Sequence, residues 1–143
     1  MQTEHTSVKQ ISEEDTGGYL YSVNHYLLPK MKQFNKLNVG IISHSLIRES
    51  AIISTLKKNS STIKKEDVRR LLSTHHPAGF CNHYYNDGFG TLWSAIFDTT
   101  VSEMDACFGA PSHNEYRKFG LDDPVGIQEY VAKAPVSEEH LPI

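Results

Sequence analysis

The sequence predicts an α+β fold, mainly antiparallel strands with two adjacent helices. Three observations carry that expectation. An aromatic-rich extended stretch lies between Gly18 and Pro29, two windows of helical apolar spacing lie between Ser45 and Ser73, and a hairpin pattern lies between Thr91 and Phe108. At 143 residues the chain fits one domain with a modest core.

Residues 1–16 are polar, with acids at Glu13-Glu14-Asp15, and form a loose lead-in. The body of the domain is expected over 17–121. It begins with Gly18-Tyr19-Leu20-Tyr21-Ser22-Val23-Asn24-His25-Tyr26-Leu27-Leu28, whose Tyr, Leu and Val content favours a strand. Alternation places Leu20, Ser22, Asn24 and Tyr26 on one face and Tyr19, Tyr21, Val23 and His25 on the other. Both faces carry apolar bulk, so a strand covered on both sides is expected. Asn24 stands out as an uncharged amide near its end. An amide offers two N–H donors that cannot titrate, which suits stabilising a developing oxyanion. The plainer alternative is an Asn that satisfies the backbone of the following turn.

Pro29–Asn38 is polar with three lysines and reads as an exposed connection, and Leu37–Ile42 as a short strand or extended approach. Ser43 or Ser45 is a fitting N-cap for a helix with Leu46, Ile53 and Leu56 on its apolar face. Lys57-Lys58 suit its C-terminal dipole. A second helix is expected over Lys64–Ser73, with Glu66 and Asp67 in its first turn and Val68, Leu71 and Leu72 as its stripe. The short polar gap at Asn59-Ser60-Ser61 predicts that the two helices pack side by side. A histidine-rich loop from Thr74 to His83 follows, and Asn86-Asp87-Gly88 is turn chemistry. Thr91–Thr99 and Val101–Phe108 then read as two strands, with Trp93, Ala95 and Phe97 on one face of the first and Met104, Ala106 and Phe108 on one face of the second. Gly109-Ala110-Pro111 should end the sheet, leaving a Pro-punctuated tail over 122–143.

Composition sets limits on function. A formal net charge of −3 gives no general drive toward nucleic acid or anionic membrane. No apolar run reaches the roughly 20 residues that span a bilayer, and the N-terminus lacks a signal-peptide pattern. Two cysteines, Cys81 and Cys107, make no disulfide framework, so a cytoplasmic location is the default expectation.

Few residues present themselves for chemistry. Arg48 sits early in the first helix, where the dipole favours an acid; such an arginine often holds a carboxylate or stabilises a thiolate, unless it is simply solvated. His75, His76, Cys81 and His83 are zinc-ligand types, but their spacing matches no standard finger, and adjacent His75-His76 rarely share one ion. No metal and no cofactor is expected. Cys81 and His83, two apart on an extended segment, can touch as a thiol and its base. Cys107 between Ala106 and Phe108 reads as packing.

Taken in order, several motifs resemble the C-terminal part of the acyl-coenzyme A:6-aminopenicillanic acid acyltransferase-like family. That family is grouped with choloylglycine and penicillin V hydrolases among the N-terminal nucleophile (Ntn) hydrolases. The motifs are the Gly18–Tyr26 strand ending in Asn24-His25, then Ser45-Leu46-Ile47-Arg48, then Leu71–His75 with Phe80-Cys81-Asn82-His83. Thr91–Asp98 and Phe108-Gly109-Ala110-Pro111 complete the series. The resemblance implies an αββα sandwich in which a processed N-terminal cysteine attacks an amide or acyl-thioester carbonyl of a small molecule. It further implies that Asn24 is the oxyanion-hole asparagine and Arg48 the arginine near the nucleophile. Cys81 matches a family cysteine that is not the nucleophile. Where the family has Cys-Arg-His, this chain has Cys81-Asn82-His83. The family's catalytic cysteine lies in an upstream half, so the expectation is a C-terminal segment, inactive without a separately supplied Cys-led half and open to self-association. The alternative is a stand-alone, non-catalytic domain that binds a partner or small ligand.

Overall fold

The computed structural model describes residues 18–35, 39–58, 62–120, 122, 129–135 and 140–141. They fall into two units, one up to Ile63 and one from Lys64 onward, each described by itself. The polar lead-in at 1–16 lies outside the described residues. The unit boundary falls within the stretch 17–121, and the two expected helices belong to different units.

In the first unit, residues 18–28 run without regular hydrogen-bonded structure and bend at Asn24-His25. The expected alternation is present: Tyr19, Tyr21, Val23 and His25 are half-buried, while Leu20, Ser22, Asn24 and Tyr26 are exposed. The expectation of cover on both sides is corrected, since Leu20 is 73% exposed and Tyr26 48%. Aromatic and aliphatic content gave the extended conformation, but it could not say whether a second layer lies against the outer face.

The connection that follows is partly helical. Pro29 opens a single turn, α1 (Pro29–Lys32), where its fixed φ suits the first helical position. Met31 from this turn is buried. Asn35 then pairs with the backbone of Tyr26 on both sides, its Oδ1 accepting the Tyr26 N–H at 2.8 Å and its Nδ2 donating to the Tyr26 carbonyl at 3.1 Å. A side-chain amide thus takes the place of a neighbouring strand at Tyr26.

The long helix α2 (Val39–Lys58) begins well before the expected cap. Residues 39–42 are helical rather than strand, and Ser43 and Ser45 sit inside the helix. Ser45 misled because its hydroxyl serves the Asn24-His25 bend and not a helix end. Of the expected apolar face, Ile53 and Leu56 are half-buried but Leu46 is 47% exposed, and the buried positions are His44, Ser45 and Ile52.

The second unit opens with α3 (Lys65–Ser73), close to the expected span. Asp67 accepts the Lys64 backbone N–H at 3.0 Å, which satisfies one of the free donors at the helix start. The histidine-rich loop then folds back on the helix end: Cys81 N–H donates to the Thr74 carbonyl and Phe80 N–H to the Leu71 carbonyl, at 2.9 and 3.0 Å. Gly79 lies so close to the Thr74 and Leu71 backbones that no Cβ fits there. A 3₁₀ turn at Tyr85–Asp87 leads on to the sheet.

Three antiparallel strands form that sheet in the order β1 (Trp93–Asp98), β2 (Glu103–Phe108) and β3 (Arg117–Gly120). The hairpin register pairs Trp93 with Phe108, Ala95 with Ala106 and Phe97 with Met104, as the face pattern predicts. Gly109-Ala110-Pro111 does not end the sheet. Gly109 adopts φ +87°, where glycine carries no Cβ penalty, and the chain returns to place Arg117 opposite Ala106 and Phe119 opposite Met104. The turn residues were legible, but four residues of strand with two charges carried no strand signal.

The two faces of the sheet differ. On one, α3 packs against β1, and buried Asp105 takes Lys65 Nζ at 2.7 Å and Arg69 Nη2 at 3.0 Å. On the other, Trp93 and Phe97 are 67% and 71% exposed. Phe108 beside them stacks on Tyr130 at 4.7 Å between ring centres.

Candidate active site

The side chains with the densest polar contacts in the first unit gather where the Asn24-His25 bend meets α2. Helical spacing explains why α2 can serve it: Ser45, Arg48 and Glu49 stand at i, i+3 and i+4 and so share one face. Arg48 Nη2 donates to Asn24 Oδ1 at 2.8 Å. Asn24 N–H donates to Ser45 Oγ at 3.0 Å. His25 Nδ1 lies 2.8 Å from the same Ser45 Oγ, and its Nε2 lies 3.2 Å from Glu49 Oε2. The other Glu49 oxygen accepts the Tyr21 hydroxyl at 3.0 Å.

Donor and acceptor chemistry constrains the proton positions. A guanidinium has no acceptor, so the Asn24 atom facing Arg48 is its oxygen, and the NH2 group points away. Glu49 as a carboxylate only accepts, so His25 Nε2 carries its proton toward Glu49. With the imidazole neutral, Nδ1 is then an acceptor and takes the Ser45 hydroxyl proton, while Ser45 Oγ keeps a lone pair for Asn24 N–H. Burial pushes the Arg48 guanidinium pKa down, yet a guanidinium stays protonated in a protein. Its Nε is buried with no hydrogen-bond partner among the described residues. Burial, then the bond to Glu49, raises the Tyr21 phenol.

Asn24 and Arg48, the two residues singled out from the sequence, are therefore brought together, 24 positions apart in the chain. Among the described residues Arg48 holds an amide oxygen, neither a carboxylate nor a thiolate. Tyr21, His25, Ser45 and Glu49 were not singled out. The i, i+3, i+4 set on α2, opposite an Asn-His pair, was the available signal.

Ser45, His25 and Glu49 have the composition of a hydrolytic triad, but not its accessibility. Ser45 is completely buried, and its oxygen already accepts a backbone N–H, so no substrate carbonyl can approach it. Asn24 is different, because it is exposed and its amide donors lie on the side of the group away from Arg48.

In the second unit, the expected contact between Cys81 and His83 is present, with Sγ 3.3 Å from Nε2. Ser112 Oγ lies 3.3 Å from the same sulfur and 2.7 Å from His83 Nε2, and His113 Nδ1 lies 2.8 Å from Ser112 Oγ. Cys81 is nevertheless fully buried. Cys107 is buried as packing, as expected, and burial followed by the nearby Cys81 sulfur pushes its thiol pKa up. Among the described residues no three His, Cys, Asp or Glu side chains come together to hold a metal ion. No helix among them is long and apolar enough to cross a membrane.

An α+β chain that presents an arginine-oriented amide donor beside a helix has the parts to stabilise charge on a carbonyl oxygen. The model of the acyl-coenzyme A:6-aminopenicillanic acid acyl-transferase family matches residues 1–113, and the chain belongs to that family. No curated protein and no solved structure matches it.

Proposed function

We propose that this chain provides the oxyanion-stabilising part of an Ntn-type site that hydrolyses an amide, or transfers an acyl group, on a small molecule. The carrying observation is the 2.8 Å bond from Arg48 Nη2 to Asn24 Oδ1, which engages the amide oxygen of an exposed residue and leaves its NH2 on the side away from the guanidinium. In the reaction, a thiolate attacks the amide or thioester carbonyl, and the carbonyl oxygen becomes negative as the carbon turns tetrahedral. Asn24 Nδ2 donates to that oxygen. Arg48 polarises the amide through its own oxygen, which makes the N–H groups better donors, and adds positive potential close by. Collapse of the tetrahedral species breaks the bond to the leaving amine, which takes up a proton, or to the leaving thiolate, and restores the carbonyl as an acyl-thioester on the attacking cysteine. Water or an acceptor nucleophile, losing a proton, then attacks that thioester through a second oxyanion and frees the thiolate.

The thiolate is proposed to come from a Cys-led segment acting with this chain. The only cysteines of the sequence are Cys81 and Cys107, both buried. The chain by itself is then expected to show no turnover. The finer architecture follows the same reading: the exposed Trp93 and Phe97 face is suited to cover by a second sheet, as in an αββα sandwich. The body of the domain is proposed over 17–121, with the matched residues 1–16 leading into it and 122–143 as its tail.

Two measurements test the reading. Mixing the chain with a Cys-led segment of the family should create amidase or acyl-transfer activity that neither has alone. In that complex Asn24→Ala should lower kcat about 10²–10³-fold with little change in KM. Full activity per folded molecule in Asn24→Ala would sink the assignment. A second reading, a non-catalytic domain that binds a partner, draws on the same exposed sheet face. It predicts complex formation without turnover.

A further inference from the structure

We propose that Ser45, His25 and Glu49 are positioning residues that hold the Asn24 amide in its donating geometry. The inference rests on the oxyanion reading of Asn24 given above.

Asn24 is gripped at two points by one helix. Ser45 takes its backbone N–H and Arg48 takes its side-chain oxygen, and the two residues are less than one turn apart on α2. A rigid segment that holds both ends of a short side chain leaves its terminal NH2 little freedom. That matters because an oxyanion donor acts through being in place before the charge develops, within about 0.5 Å of its productive position.

The grip at Ser45 depends on groups whose own hydrogen bonds go elsewhere than to the Asn24 side chain. A hydroxyl can accept from Asn24 N–H in a fixed direction only if its own proton is committed elsewhere. In a neutral imidazole protonated at Nε2, His25 Nδ1, 2.8 Å away, takes that proton. Nδ1 is free to accept only in the tautomer protonated at Nε2, and Glu49 at 3.2 Å selects that tautomer. Tyr21 pins the second oxygen of Glu49 at 3.0 Å. Each link uses one donor and one acceptor, so the order of protons is set from Tyr21 to Asn24. The His25 side chain is 3% exposed, which keeps water from substituting for either partner.

A network that merely fastens the extended segment to α2 would look similar, so the test must tell the two apart. In the complex with a Cys-led segment, Ser45→Ala should lower kcat about tenfold at nearly constant KM, and Ser45→Thr, which keeps a hydroxyl, should recover most of it. In the Asn24→Ala background, Ser45→Ala should cost nothing further, because the donor it positions is gone. An equal loss of kcat in both backgrounds overturns the proposal and leaves the oxyanion reading standing. Unchanged kcat in Asn24→Ala alone overturns the oxyanion reading and this proposal with it. The full chain without its partner gives a readout independent of activity. Nitrogen-15 NMR should show His25 protonated at Nε2, and Glu49→Gln should move the Asn24 side-chain NH2 resonances although no hydrogen bond joins those two residues. A folded Glu49→Gln chain with the Asn24 NH2 signals unmoved overturns the proposal.

Discussion

Replacing Asn24 by aspartate separates what the residue does for stability from what it does for chemistry. The Asn24→Asp side chain has nearly the same shape and keeps an oxygen for Arg48, but its second terminal atom changes from a double donor to an anionic acceptor. The pair with Arg48, 2.8 Å apart in the native protein, gains charge. Asn24 is exposed, so solvent screens the gain, and stability should rise by no more than about 1 kcal/mol. For a chain of this length that is about 2–4 °C in Tm. Catalysis should move the opposite way. Loss of the donor alone is worth about 10²–10³ in rate, and a carboxylate beside the developing oxyanion opposes it further. Asn24→Ala should lower the rate too, but it strips Arg48 of its acceptor and should lower stability by about 1 kcal/mol. Thermal melts of the chain and turnover of the complex with a Cys-led segment measure both. Wild-type turnover in Asn24→Asp would refute the donor role, since an aspartate that still satisfies a turn could satisfy nothing on an oxyanion.

Other perturbations follow from the same geometry. Arg48→Ala should reduce kcat strongly and Arg48→Lys should restore it only in part, because an ammonium cannot hold the planar amide as a guanidinium does; steady-state kinetics decide it. Burial alone would raise the Asp105 pKa, but the Lys65 hydrogen bond and the charges of Lys65, Arg69 and Lys118 outweigh it and hold the carboxyl below its usual range. A carboxyl lowered in the fold stabilises above its unfolded pKa and loses that contribution as pH falls through the folded one, so stability should begin to drop below about pH 4. Asp105→Asn should flatten that part of the stability-against-pH curve, read by denaturant melts at stepped pH. The exposed Trp93 and Phe97 should drive self-association of the chain alone, and Trp93→Ser with Phe97→Ser should return it toward monomer in sedimentation runs.

The parts of this fold that the sequence disclosed are those with local periodic signals. The hairpin register followed from alternation of Trp93, Ala95 and Phe97 against Met104, Ala106 and Phe108, and α3 followed from its acidic first turn and Leu71-Leu72 stripe. What stayed hidden was set by partners distant in the chain. The start of α2 was misplaced because Ser45 has the right chemistry for a cap and spends it on Asn24 and His25 instead. β3 went unseen because Arg117-Lys118-Phe119-Gly120 becomes a strand only by pairing with β2. At the candidate site, Asn24 and Arg48 were legible one by one, through residue type and resemblance. Their contact was not, since it depends on how the bend lies along α2. The roles of His25, Ser45 and Glu49 needed the distances.

The half-buried and exposed positions from Tyr19 to Tyr26 alternate one by one, and that gives the segment a parity. Glu49 receives Tyr21 on one oxygen and His25 on the other. The two side chains reach the same carboxylate because both belong to the half-buried set, an even number of steps apart, and the chain bends at Asn24-His25 between them. Removing or adding a single residue between them would turn one toward solvent as the other stayed in place, and Asn24 would trade sides with its neighbour. Removing or adding two would keep the order of inward and outward side chains, at the expense of reach. Length variation here should therefore be tolerated in pairs or not at all, a rule that chain composition by itself does not impose.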